Sequence, residues 1–275
     1  MCNKLQGQVA LITGSGRGIG KALALKLASK GVRVVINDLD QEPTEDTVAQ
    51  IKATGGEAIA VVGSITSEGF ADNFIAGAVK AYGTPDMLIN NAGYTWDSMI
   101  HKADDEQFDA MYEIHLKAPF QLNRAFVRAI RDIAKKEAAA GIENFRKIVN
   151  ISSIAGVCGN TGQVNYSSMK AGLSGMTKTL AKELGRLKVN VNCVAFGVID
   201  TRLTEATDEK KSITVDGREI GVGVPEKVHA AFSAAIPLGR SGSAEEAADG
   251  VYLFCTPESN YISGQVLLVA GGLSL

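Results

Sequence analysis

Along the chain, short aliphatic and β-branched runs alternate with longer stretches whose apolar positions recur every three to four residues. Gln8–Thr13, Val32–Asn37, Ala58–Val62, Met87–Asn90, Lys147–Ile151, Val189–Val194 and Val266–Val269 have the length and composition of buried strands. Between them, Lys21–Lys30, Thr44–Ala53, Glu68–Tyr82, a long helix within Asp104–Lys136, Ser167–Leu187 and Ala244–Cys255 read as helices. Gly31 stops the first of these and Gly55-Gly56 the second. Strands alternating with helices imply right-handed βαβ units. The expected fold class is therefore α/β, a doubly wound and mainly seven-stranded parallel sheet with helices on both faces. No Pro-, Ser- or charge-rich stretch divides the 275 residues, so one domain over 1–275 is expected.

Composition narrows the class without adding a partner. At 45% hydrophobic and 21% charged residues the chain reads as a soluble globule, long enough to bury a core without disulfides or metals. A formal net charge of −2 leaves no footprint for nucleic acid or an anionic membrane. Cys2, Cys158, Cys193 and Cys255 form no CxxC pair, and the three His make no ligand cluster, so free thiols and no metal site are expected. MCNKLQGQVALITG at the N-terminus lacks a basic start and cleavage site, and the apolar run Val9–Ile12 is too short to span a bilayer. The expected location is the cytoplasm.

In a doubly wound sheet, ligands sit beyond the carboxyl ends of the strands, and the chemistry of this sequence gathers there. Thr13-Gly14-Ser15-Gly16-Arg17-Gly18-Ile19-Gly20 follows the first strand. Gly14, Gly18 and Gly20 allow a tight turn, close approach of a pyrophosphate and close helix–sheet packing. The spacing is not GxGxxG, and a glycine-rich turn without a ligand is the competing reading. Asp38 closes the second strand, where a carboxylate accepts hydrogen bonds from the adenosine ribose and repels a 2′-phosphate. The bland alternative is an Asp that only begins a turn. Arg17 pulls the other way, because a guanidinium near the ribose can hold that phosphate. The balance favours NAD over NADP.

Tyr166 and Lys170 stand four residues apart on one helix face. A phenol ordinarily titrates near ~10, and a close ammonium favours its phenolate, as acid–base work near neutrality requires. Ser153, just after the Lys147–Ile151 strand, places a hydroxyl where a substrate oxygen would lie. Taken alone, such a Tyr–Lys pair is more often a surface contact; the glycine turn, the acidic strand end and the serine reverse that reading.

With these motifs the sequence resembles the short-chain dehydrogenase/reductase family over essentially its whole length. TGxxxGIG stands as Thr13–Gly20, NNAG as Asn90-Asn91-Ala92-Gly93, the serine segment as Asn150-Ile151-Ser152-Ser153, YxxxK as Tyr166–Lys170, and the closing SGQ…GG runs from Ser263 to Gly272. The resemblance implies a Rossmann fold and a hydride moved between nicotinamide and a carbonyl/alcohol pair. It implies that Ser153 orients the carbonyl, that Tyr166 trades the proton, and that Lys170 binds the nicotinamide ribose and lowers the Tyr166 pKa. It places Gly14, Ser15, Arg17, Gly18, Ile19, Gly20, Asp38, Ser64, Ile65, Asn91, Ala92, Gly93, Tyr166, Lys170, Gly197, Ile199 and Thr201 at the cofactor. Ser152 is the alternative serine, but the 13-residue spacing to Tyr166 favours Ser153.

The sequence departs from the family pattern at three places. His115 stands where the family usually has the helix asparagine of its proton relay, and is expected to keep that relay in altered form or to be a packed helix histidine. Gly63-Ser64-Ile65 replaces the Asp that commonly contacts adenine, with Ser64 the weaker partner. Phe196 replaces the proline usual before Gly197. Leu203–Ile236, with Gly217, Gly221, Gly223 and Pro225, is expected to be a long loop that forms a substrate lid at about 203–236. Similarity to 3-oxoacyl-carrier-protein reductases, and His115 as in 3-hydroxyacyl-CoA dehydrogenases of multifunctional enzymes, implies a 3-oxoacyl/3-hydroxyacyl thioester substrate. The alternatives are a dehydrogenase of a cyclic or secondary alcohol and a non-catalytic dinucleotide-binding protein. The family is usually tetrameric, and the apolar tail Val266–Leu275 and the helix near Arg124–Ala140 suit such an interface.

Overall fold

The computed structural model describes residues 4–209 and 211–273. Readings that touch Cys2, Lys210, Ser274 and Leu275 lie outside the described residues. In chain order the elements are β1 (Val9–Ile12), α1 (Gly18–Ala28), β2 (Arg33–Asp38), α2 (Gln41–Ala53), β3 (Ala58–Val62), α3 (Phe70–Tyr82), β4 (Met87–Asn90), α4 (Asp105–Tyr112), α5 (Ala118–Ala139) and β5 (Arg146–Ser153). They continue with α6 (Ala155–Cys158), α7 (Val164–Leu184), β6 (Val189–Phe196), β7 (Lys211–Val215), β8 (Arg218–Val222), α8 (Glu226–Ala235), α9 (Ala244–Cys255) and β9 (Val266–Val269). Seven strands form one parallel sheet in the order β3-β2-β1-β4-β5-β6-β9. The order reverses between β1 and β4, which opens a crevice at their carboxyl ends.

Side-chain alternation along the strands explains how both faces are filled. Ala10, Ile12, Val34 and Ile36 face one core, with Leu23 and Leu27 of α1, Ile51 of α2 and Val251 of α9. Val9, Leu11 and Val35 face the other, with Phe74 of α3, Phe126 of α5 and Leu184 of α7. Because both faces are covered, the strands are mostly apolar. Among their buried polar residues, the side-chain amide nitrogens of Asn90 and Asn150 are paired. Asn90 Nδ2 donates to Asn123 Oδ1 and Asn150 Oδ1 at 2.9 and 2.8 Å, and Asn150 Nδ2 donates to Thr177 Oγ1 at 2.9 Å. Buried amides without such partners would be costly, so this network fixes β4 and β5 against α5 and α7.

Two segments differ from the sequence-based expectation. The long helix within Asp104–Lys136 holds a single π turn, Glu113–Lys117, between α4 and α5. Pro119 supplies the reason: it has no N–H to give the His115 carbonyl, and Ala118 instead donates to Glu113. The turn leaves His115 buried among the helices. Second, 203–236 is not a plain loop. Lys211–Val215 and Arg218–Val222 pair as an antiparallel hairpin, followed by α8. Its signal was Asp216-Gly217 between alternating apolar residues, and both turn residues take positive φ, 48° and 80°. No helix among the described residues is long and apolar enough to cross a membrane. Cys158, Cys193 and Cys255 are free thiols.

Candidate active site

At the switch point the turns after β1 and β4 are stitched together. Thr13 Oγ1 accepts the Asn91 and Ala92 N–H groups at 3.0 and 3.1 Å, and Asn91 Nδ2 donates to the Thr13 and Gly14 carbonyls at 2.9 Å. Gly14 has φ 61°, and a Cβ on it would lie 2.7 Å from Ala92 Cα; one on Gly20 would overlap the Gly14 carbonyl. Side chains at either position would wedge the two turns apart. α1 begins at Gly18, and its N-cap Arg17 makes no side-chain capping bond. The first amides of α1 are thus open to an anion at the positive end of the helix dipole. A dinucleotide fits this cradle: Gly18, Ile19 and Gly20 for the pyrophosphate, and Asp38 at the end of β2 for the adenosine ribose.

The acidic end of the crevice is well ordered by hydrogen bonds. Asp38 Oδ2 accepts the Gly16 N–H at 3.0 Å and Oδ1 the Leu39 N–H at 2.9 Å. The Arg17 guanidinium lies 2.7 Å from Asp40 Oδ2 and 3.9 Å from Asp38 Oδ1. Its charge is therefore already matched by two carboxylates.

The first turn of α7 carries Tyr166 toward the end of β5. Its phenol lies beside the Ser153 side chain, close enough for that hydroxyl to lower its titration. Ser152 points inward and donates to the Lys170 carbonyl at 2.8 Å, so of the two serines only Ser153 meets the phenol. Lys170 Nζ lies 5.6 Å from the centroid of the Tyr166 ring and donates to the Ile151 carbonyl at 2.7 Å. His115 meets the same ring edge-on, with centroids 5.0 Å apart at 85°.

Burial governs the titration of this cluster. It pushes the Tyr166 phenol up to about 12, opposed by the neighbouring Ser153 hydroxyl and assisted by the Asp97 charge. The expectation that Lys170 draws the phenol toward neutrality is not realised here, because its ammonium is turned to the Ile151 carbonyl and desolvation prevails. Burial likewise brings the Lys170 ammonium down to about 8. His115 is held well below the ordinary imidazole value, first by burial and then by the Lys170 charge. It is neutral at pH 7. A carbonyl only accepts, so the 2.6 Å contact of Nε2 with the Tyr94 carbonyl places the proton on Nε2. Nδ1 is left as a buried acceptor with no donor among the described residues.

The remaining expected positions divide. Ala92 and Asn91 lie against Gly14 and Gly20, Gly93 lies against His115, and Thr201 Cγ2 comes within 3.7 Å of where a Gly18 Cβ would stand. Gly197 packs against Ala270, and Ile199 is buried. Ser64 and Ile65 lie just past β3, with the Ser64 hydroxyl engaged by Asp216. Ser15 is different: fully buried, it bonds to the Ile12 carbonyl and to Asn37, so its side chain braces the turn. Sequence reasoning missed Asn165, whose Oδ1 accepts the Tyr166 N–H at 2.8 Å while Nδ2 donates to the Trp96 carbonyl at 3.0 Å. It also missed Asp97, which Gln163 holds at 2.7 Å in the β4–α4 loop. Asparagines inside apolar runs were the available signal for the buried amides.

One contact makes a direct test. A Cβ on Gly93 would overlap His115 Cε1 and lie 2.9 Å from Nδ1. Gly93→Ala should therefore cost at least tenfold in dinucleotide affinity, because overpacking forces the ring or the turn aside. His115→Ala in the same chain should restore most of the loss, measured by titrating protein fluorescence with NADH. A double variant no better than Gly93→Ala would show that the ring is not the obstacle.

Residues 8–212 match the model of the short chain dehydrogenase family. The 3-oxoacyl-[acyl-carrier-protein] reductase FabG of Thermotoga maritima is 35% identical over 270 residues, covering 98% of this chain and 99% of that protein. The 3-oxoacyl-[acyl-carrier-protein] reductase of Synechocystis is 37% identical over 271 residues, 98% of each chain. A subunit of the (2S)-[(R)-hydroxy(phenyl)methyl]succinyl-CoA dehydrogenase of Thauera aromatica, BbsD, is 35% identical over 272 residues, again 98% of each. Relatedness on this scale agrees with the geometry at the ends of β1, β4 and β5, and the chain belongs to the short chain dehydrogenase family of oxidoreductases.

Proposed function

We propose that this enzyme interconverts 3-oxoacyl and 3-hydroxyacyl thioesters with NAD, using Ser153, Tyr166 and Lys170, with His115 packed against them. The observation that carries the reaction is the buried cluster in which the Tyr166 phenol stands beside Ser153 and Lys170 lies 5.6 Å from the centre of its ring. The thioester is what the relatives have in common: two are named for 3-oxoacyl groups on acyl carrier protein and one for a CoA ester.

Bound nicotinamide would supply or take the hydride at the substrate carbon. The chain's own groups handle the oxygen. Ser153 and Tyr166 converge on one point, where both hydroxyls donate to the carbonyl oxygen, and Tyr166 then passes its proton to the alkoxide. A phenol near 12 enters as the acid, which suits reduction. Lys170 restores the charge balance as that proton leaves. His115, neutral and edge-on, limits how far the Tyr166 ring can turn. Residues 203–236 act as a lid over the acyl chain.

Asp38 and the neutralised Arg17 support NAD over NADP. The side chain at Asp38 would take the ribose hydroxyls, whereas a 2′-phosphate would meet its charge and find Arg17 already paired. The free thiols accord with a cytoplasmic setting. Assembly as a homotetramer is part of the same reading. Phe108, Tyr112, Phe120 and Ile133 are exposed on α4, α5 and their shoulder, and Leu268 on the edge strand β9.

Five measurements test this reading. Acetoacetyl-CoA, longer 3-oxoacyl thioesters, cyclic alcohols and sugars should be offered with both dinucleotides; failure of every thioester would end the substrate assignment. Tyr166→Phe should lower kcat by about a thousandfold with little change in NADH affinity. In the parent enzyme, ketone reduction should fall as pH rises through about 8, because Lys170 is charged below that value and neutral above it. Next, Asp38→Ala should shift the NADH/NADPH ratio of kcat/KM toward NADPH by about tenfold; an unchanged ratio would remove Asp38 as the discriminator. Finally, light scattering should give four times the chain mass, and a monomer would refute the assembly.

A further inference from the structure

The hairpin β7–β8 leaves the sheet after β6, yet its tip lies against the loop that follows β3. In the strand order β6 and β3 are five spacings apart, about 24 Å at ~4.8 Å per strand, with the β1/β4 crevice between them. The base of the excursion is pinned at the crevice mouth, where Thr201 approaches Gly18, Thr207 N–H donates to the Val224 carbonyl at 2.9 Å, and Gly223 N–H donates to that of Leu203 at 3.2 Å. The hairpin therefore passes across the open side of the proposed cofactor site.

Its two faces are built for different surroundings. Ile213 and Ile220 are paired across the strands, and with Val215 they pack on the core that holds Ile65 and Tyr94; Ile220 is fully buried. Ser212 and Glu219 face outward and bond to each other at 2.7 Å. At the tip the Asp216 carboxylate accepts from Ser64 Oγ at 3.1 Å and Thr66 Oγ1 at 3.0 Å. Arg218 Nε donates to Glu106 Oε1 at 2.9 Å, and its guanidinium lies near the Tyr94 phenol, whose titration burial pushes up against the opposing Arg218 charge. The landing points are cofactor loops: Ser64 and Ile65 follow β3, and Tyr94 follows Gly93 and holds His115 through its carbonyl.

We propose that the hairpin is a strap latched across the dinucleotide crevice by Asp216 on Ser64 and Thr66 and by Arg218 on Glu106, and that cofactor enters and leaves only when the latch opens. The proposal rests on the dinucleotide reading above. An isolated two-stranded hairpin is marginal in water, so its closed position depends on this docking. The polar half of the latch is weak by design of its surroundings: Arg218 and Glu106 are 31% and 59% exposed, and such pairs are small and salt-screened. One buried isoleucine and a few exposed bonds make a closure that opens thermally, and the sites of those bonds decide the rate.

Stopped-flow fluorescence of NADH binding tests the strap, with hydrogen exchange of the 211–222 amides as an independent readout. Asp216→Asn keeps a residue that tolerates the left-handed turn and removes the charge; Arg218→Gln removes the second latch. In the parent protein the observed binding rate should level off at high NADH, at the opening rate. In each variant the plateau should rise about fivefold, the worth of one charge-assisted bond near the surface, and the hairpin amides should exchange faster. Raising salt to ~0.5 M, where screening is nearly complete, should raise the parent plateau and leave the Arg218→Gln plateau nearly unchanged. Rates linear in NADH and equal in all three proteins would overturn the strap while leaving the oxidoreductase reading intact. No equilibrium binding of either dinucleotide to any of the three would overturn the cofactor reading, and the gate with it.

Discussion

Two backbone turns, one after β1 and one after β4, meet so closely that no side chain fits between them, and the rest of the site is arranged around that meeting. Thr13 and Asn91 hold the turns together by four hydrogen bonds, and Gly14 and Gly20 keep the gap free of Cβ atoms. The parallel sheet reverses its winding at this point, so the helices on either side part and leave a crevice. The same contact fixes where α1 begins and so where its positive end points. Gly93 extends the constraint to the cluster around Tyr166, because its bare Cα lets the His115 ring lie flush with the β4 turn.

Around Tyr166 the dominating force is desolvation. Three titratable groups, Tyr166, Lys170 and His115, share one buried pocket, and each is displaced toward its neutral form. The displacement is useful because the groups differ. It leaves a phenol that keeps its proton, an ammonium near its point of release, and an imidazole that stays uncharged. Small charges brought into such a pocket act over short distances in a poor dielectric, so substrate and cofactor can change the acid–base balance without large movements. The π turn made necessary by Pro119 is the device that delivers His115 into this pocket.

Much of this could be read from the residues in order. The seven strands, the helices between them, the glycine turn, Asp38 and the Ser153–Tyr166–Lys170 set all follow from local rules: periodicity, β-branching, and the need for glycine where backbone meets backbone. The reading of Ser153 over Ser152 rested on the family's spacing to the tyrosine; in the structure Ser152 is turned inward to the Lys170 carbonyl. Other features were hidden because they depend on partners far along the chain. The hairpin at Asp216-Gly217 was passed over among charged and small residues although its turn signal was present. The side chain of Ser15, grouped with the cofactor turn, is spent on Asn37 and Ile12. The direction of the Lys170 ammonium could not be inferred from an i, i+4 spacing.

By itself, then, the sequence determined the α/β architecture, the ends of the strands where chemistry would gather, and the residue types that carry it, because each of these is set by neighbours within a few positions. Only the tertiary structure decided which way Lys170 points, that His115 meets Gly93 and Tyr166, and that a hairpin from the far side of the sheet reaches Ser64 and Thr66. Those outcomes depend on burial and on contacts between residues 19 to 152 positions apart, where desolvation and packing, not local preference, choose among the conformations that each segment allows.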